Sequence, residues 1–176
     1  MNRLYTVFVE IKKTCVTFCL LAFVLVFIFI IIALFLPEPE NKVLKSLGEY
    51  RNYVYYSEGD FQDYTDYAKY YYDFIDFSDN TFFNQINDSD LNKINKHLDD
   101  FESWIEAYKK NDASREIVTK YDFDRSIIDK EDYIYIESEK FTSTWDDGTT
   151  TTTLANYDIY FFDTQTLVLY YFHNNI

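Results

Sequence analysis

Two histidines, His97 and His173, and 30 carboxylates are the side chains of this 176-residue chain best suited to acid–base or metal chemistry. Such work needs an imidazole converging with carboxylates or other ligands at recognisable spacing. His97 sits beside an apolar stripe of helical period, and His173 lies in the last strand-like run. Neither spacing matches a metal or catalytic motif. Paired carboxylates for glycoside hydrolysis need only a set separation in space, which a sequence does not reveal. Asp122-Phe-Asp124-Arg-Ser126 opens like a calcium loop. Ile127 then stands where that loop needs Gly, and Tyr133 where it needs Glu, so it is no EF-hand. Asp60, Asp63 and Asp66 recur at i, i+3, i+6 and read as a solvated helix face. No Gly-rich phosphate loop and no G-x-S-x-G elbow occur. The two cysteines, Cys15 and Cys19, fall inside an apolar stretch, which leaves the polar remainder without a thiol for a disulfide, a zinc site or a nucleophile. No catalytic residue, metal or cofactor is expected.

Aromatic side chains are the other signal. The chain holds 18 Tyr and 17 Phe, more than a core of this size readily buries, so some should reach the surface. Exposed Tyr and Trp give large contact area at little rotamer cost, as binding faces use. The candidates for partner binding are Tyr70 and Tyr72 on an expected second helix, and Trp145 with Asp146 and Asp147 at an expected hairpin tip. The same bias toward Phe, Tyr, Asn, Ile, Lys and Asp also fits the AT-rich codons of a low-GC bacterium.

These residues must be positioned by the elements around them. Thr14 to Leu36 runs 23 residues without a charge. A helix rising about 1.5 Å per residue crosses a hydrocarbon core of about 30 Å in roughly 20 residues. The stretch reads as an uncleaved signal-anchor at the plasma membrane, since its end lacks the small-x-small pattern of a cleavage site. Residues 1–13 form a short tail and 37–40 a Pro-Glu spacer. Lys and Arg near the two ends balance, Arg3, Lys12 and Lys13 against Lys42, Lys45 and Arg51; the proximity of Lys12 and Lys13 sets N-in, C-out.

Residues 41–176 suit one domain. They carry 13 basic and 27 acidic side chains, the whole net charge of −14. That field repels phosphate backbones, so nucleic-acid binding is not expected, and it favours a basic protein partner. Helices are expected over 41–55, 61–76 and 89–110. The last carries Leu91, Ile94, Leu98, Phe101, Ile105 and Tyr108 on one stripe, with Lys109 and Lys110 at its end. The period then changes. Strands are expected over 117–123, 132–145, 150–162 and 167–173, with Asp146-Asp147-Gly148 as a hairpin turn. The expected class is α+β: two to three helices packed on a three- to four-stranded antiparallel meander, behind one transmembrane helix. In element order this resembles, as architecture only, cystatin-like helix-on-meander domains.

The functional expectation is a membrane-anchored binding or accessory domain, either an accessory subunit or an immunity-type inhibitor of a basic protein. Two rivals are a cell-wall glycan binder or hydrolase and a subunit of a membrane assembly contacted through the anchor, residues 14–36 being the lipid contact in each case.

Overall fold

The computed structural model describes residues 22–24, 26–27, 41–59, 63–144 and 149–175. The chain divides into two compact units, 1–41 and 42–176. In the first unit residues 22–24 and 26–27 are helical, with Phe23, Val24, Val26 and Phe27 exposed. Among the described residues no helix is long and apolar enough to cross a membrane. That corrects the expected architecture of a spanning helix ahead of the domain. The rest of the stretch 14–36 lies outside the described residues, as do the tail 1–13 and the spacer 37–40.

The second unit opens with a one-turn helix, α1 (Lys42–Ser46), and then a hairpin of β1 (Asn52–Gly59) and β2 (Tyr64–Tyr71). A two-residue strand β3 (Asn84–Gln85) precedes the long helix α2 (Asp88–Asn111) and the short helix α3 (Glu116–Lys120). A meander of β4 (Tyr133–Thr144), β5 (Thr150–Asp163) and β6 (Val168–Asn175) completes it. All six strands form one antiparallel sheet in the order β1-β2-β6-β5-β4-β3. The N-terminal hairpin is thus sewn onto the last strand.

The sheet has a core on each face. On one, Ile94, Leu98, Phe101 and Ile105 of α2 and Ile117 of α3 pack on Tyr67, Phe172, Ile159, Phe161 and Ile134. On the other, Val43 of α1 and Leu47 just after it, together with Phe83, pack on Ala68, Tyr70, Tyr72, Leu169, Tyr160 and Phe162. Burial on both faces explains strands that are aromatic throughout rather than strictly alternating. Asn87 caps α2: its side chain accepts from the Ser89 and Asp90 N–H groups, and Asp90 returns a bond to the Asn87 N–H. In the meander the register shifts between Glu139 and Lys140, leaving Ala155 as an extra residue of β5. This bulge turns Leu154 onto the helix-covered core while Asn156 stays on the opposite face.

Three expectations are corrected here. The segments read as helices over 41–55 and 61–76 are α1 followed by the β1–β2 hairpin. Tyr, Val and Thr crowd χ1 in a helix and pack well on a pleated surface, and this outweighed a weak 3.6-residue period. The run 117–123, read as a strand, is α3 and an extended exit, because its Ile117 is drawn into the α2 core. Among the described residues of 42–176 the architecture is therefore one long and two short α-helices with a six-stranded sheet, not two to three helices on a three- to four-stranded meander.

Candidate functional site

Three adjacent rows of side chains on the face that carries α1 are set by register. The first runs Tyr53, Tyr70, Leu169, Phe162, Tyr133, and the second Tyr55, Ala68, Tyr171, Tyr160, Tyr135. The third is polar: Ser57, Asp66, His173, Asp158, Glu137. Directly opposed side chains in such rows have Cβ atoms about 5 Å apart and interact as pairs.

The aromatic rows end at the free edge of β1 in a stack of tyrosines. Tyr53 lies parallel to Tyr70 with centroids 5.9 Å apart, and Tyr50 meets Tyr53, Tyr70 and Tyr72 edge-on at 5.5, 5.1 and 6.3 Å. Tyr53 is 53 % exposed and Tyr55 47 %, while Tyr70 and Tyr72 beneath them are buried. Burial pushes the Tyr70 phenol up to about 12, with Tyr50 and Tyr53 adding to the effect. These rings are held in place from below and wet on top.

The polar row is built differently. His173 Nδ1 lies 2.9 Å from Asp158 Oδ1, and the Tyr171 hydroxyl donates to the same oxygen at 2.6 Å. Burial works against ionisation of Asp158, yet the bonds from His173 and Tyr171 hold its carboxyl below the usual range. The ring's other nitrogen, Nε2, is buried and has no hydrogen-bond partner among the described residues, and the same holds for Asp66 Oδ1. The Tyr64 ring lies 4.9 Å from the imidazole. On the Tyr55 phenol, burial and the neighbouring Asp66 carboxylate both act upward. A cleft of about 210 Å³, lined by Glu137, Ser138, Glu139, Asn156, Tyr157 and Asp158, adjoins the row.

The row narrows the chemistry available. Ser57 is separated from His173 by the Asp66 strand, about 9.6 Å at two strand spacings, so no Ser–His pair forms. Asp66 and Asp158 flank His173 on the two neighbouring strands. No group of three His, Cys, Asp or Glu able to hold a metal occurs among the described residues.

No protein-family model, characterised protein or solved structure matches the chain.

Of the residues singled out by sequence, Tyr70 lies on β2 and Tyr72 just beyond it, where they form the floor of the tyrosine stack rather than its exposed surface. Trp145, Asp146 and Asp147 lie outside the described residues; the flanking strands pair from Thr144 with Thr150. His97 is a core residue, its ring edge-on to Tyr157 at 5.2 Å and its Nδ1 2.8 Å from the Lys93 carbonyl. Asp122 closes on Tyr67 and Lys69, not on a cation site. Asp66, read as solvated, is 4 % exposed. Sequence reasoning passed over Tyr50, Tyr53, Tyr55 and the Asp66–His173–Asp158 row. The run Tyr64-Thr-Asp-Tyr-Ala-Lys-Tyr-Tyr71 holds the one available signal, an acid inside a strand of strong β-formers.

Proposed function

We propose that residues 42–176 form a binding domain for a basic protein partner, with the tyrosine edge of the sheet as the contact surface. One observation carries this reading: Tyr50, Tyr53 and Tyr55 expose their rings while Tyr53 stacks on the buried Tyr70 and Tyr50 meets it edge-on. Rings already ordered lose little freedom on binding, and aromatic anchors dominate interface energetics. The edge strand β1, Asn-Tyr-Val-Tyr-Tyr-Ser-Glu-Gly, also lacks the Lys and Pro that commonly guard a sheet edge. The net charge of −14 steers a basic partner toward this surface and repels acidic ones. The uncharged stretch 14–36 motivates a place of action at the plasma membrane, checked by whether the chain sediments with membranes after alkaline washing.

The binding reading is tested with the full-length chain carrying a photo-crosslinking residue at position 53, in native extracts at low and high salt. The expected product is one stoichiometric basic protein whose capture weakens with salt. Capture should be lost in a Tyr50→Ser, Tyr53→Ser double variant whose unfolding midpoint is unchanged. Equal capture by that variant, or recovery of wall polysaccharide alone, would sink the reading.

A further inference from the structure

β4 is 12 residues long, yet β3 pairs with only Tyr133 and Ile134 at its start. Phe83, just before β3, is drawn into the core on the α1 face, and Phe82 sets its ring edge-on to Tyr135 at 5.4 Å. The chain thereby leaves the sheet edge after two paired residues. The Ile86 N–H donates to the Asp132 carbonyl at 3.0 Å, which fixes the alternation along β4. Even-numbered residues turn their main-chain groups toward β3, and odd-numbered ones toward β5. Beyond Ile134 that edge is open: among the described residues no strand pairs with the outward N–H and C=O groups of Ile136 and Ser138. A cavity of about 290 Å³, lined by Phe82, Asn84, Asp90, Lys93 and Ile136 among others, lies where β3 stops. The bulge after Glu139 marks the far end of the regular edge.

We infer that this edge takes up an extended segment of a basic protein, added to β4 in the line of β3, with Lys or Arg at alternate positions opposite Glu137 and Glu139. In strand addition the main-chain bonds give affinity, and alternate side chains give specificity. Glu137 and Glu139 are exposed on one face of β4, and among the described residues no Lys or Arg pairs with either. Asp158, directly opposite Glu137 on β5, adds to the same sign of charge. Being odd-numbered, the two glutamates stand at the non-hydrogen-bonded positions toward an incoming strand, where facing side chains approach closest and opposite charges stabilise. A second copy of the chain fits less well. Two β4 edges paired antiparallel about any residue from Glu137 to Glu139 set glutamate against glutamate, and like charges directly opposed are destabilising. The carboxylates that keep copies apart thus select a basic strand. The surface lies at the opposite end of the sheet from the β1 tyrosines and does not rest on the reading given for them.

The test titrates the full-length, ¹⁵N-labelled chain with a blocked heptapeptide alternating Lys and Val, and follows amide hydrogen exchange residue by residue. In the free chain the Ile136 and Ser138 amides should exchange at least tenfold faster than those of Tyr135 and Glu137, which bond to β5. The peptide should slow Ile136 and Ser138 at least tenfold, saturably. Two controls carry the same charge: a peptide of the same composition with its lysines in one block, and the alternating peptide methylated at its Val nitrogens, which removes the donors to β4. Both should bind at least tenfold more weakly. A Glu137→Lys, Glu139→Lys double variant should lose the lysine peptide and take up an alternating Glu-Val peptide instead. Should that variant fold poorly, the methylated peptide on the unaltered chain decides the matter. Equal binding of either control would reduce the effect to bulk charge and overturn the proposal. So would slow exchange of Ile136 and Ser138 in the free chain, protection of Tyr53 and Tyr55 in their place, or a folded double variant that still prefers lysine. Protection that grows with protein concentration in the absence of peptide would assign the edge to a second copy and overturn it as well.

Discussion

Asp132 Oδ1 accepts the backbone N–H of Thr164 at 2.9 Å, tying the entry of β4 to the turn between β5 and β6, 32 residues on. The Thr164 hydroxyl donates to the same oxygen, and Oδ2 takes the Asp129 N–H. Burial raises the Asp132 carboxyl above its usual range, so the group is retained for its acceptors despite the cost of its charge. Asp132→Ala strands two backbone donors and should cost about 1–3 kcal/mol of stability, while Asp132→Asn, which keeps one acceptor, should cost less. Urea unfolding of both variants checks the order.

Gly59 and Gly48 both adopt positive φ but differ in what surrounds them. A Cβ at Gly59, φ +138, would run into the Asp63 carbonyl oxygen and meet Tyr64 Cα at 2.6 Å. At Gly48, φ +81, the space is empty. Gly48→Ala should therefore cost only the left-handed penalty of about 1–2 kcal/mol, and Gly59→Ala clearly more, because the β1–β2 hairpin must deform. Thermal unfolding of the pair distinguishes strain from clash. Equal losses would contradict the account.

Phe172 lies between Tyr67, Phe101 and Phe123 with centroids at 5.6, 5.3 and 4.9 Å and is fully buried. Phe172→Ala opens a cavity where β6 meets α2 and should cost about 3–5 kcal/mol. Phe74, 76 % exposed, should tolerate Ala with little change. Chemical denaturation of the two variants gives the comparison.

Acid should destabilise the domain in two steps. Burial lowers the His97 pKa from its ordinary 6.5, so the unfolded chain binds the proton more readily. Stability then falls as pH drops below about 6.5, by at most about 1.4 kcal/mol per unit, until the folded-state pKa is passed. Asp158 is lowered from 3.8 by His173 and Tyr171 against the pull of burial; its contribution is present above that value and is lost as pH falls below it. His97→Gln should flatten the upper step and Asp158→Asn the lower, as read by unfolding midpoints from pH 8 to pH 3. A single step unaffected by either change would refute this assignment.

Much of the second half of the domain was legible in the residues themselves. The stripe of Ile94, Leu98, Phe101 and Ile105 defines α2 because each contact surface is three or four residues away, a purely local relation. The alternation of Tyr133 and Tyr135 with Ile134 and Ile136 likewise assigns the two faces of β4 before any partner strand is known. Charge sign and the bar to phosphate ligands follow from composition alone. The rest belongs to pairing at a distance. Tyr70 and Tyr72 became a floor, and Asp66 a buried acceptor, only because β2 docks on β6 some hundred residues later. Tyrosine is equally at home on an amphipathic helix and in a strand, so its spacing alone does not select between them. The long-range strand pairing decided it.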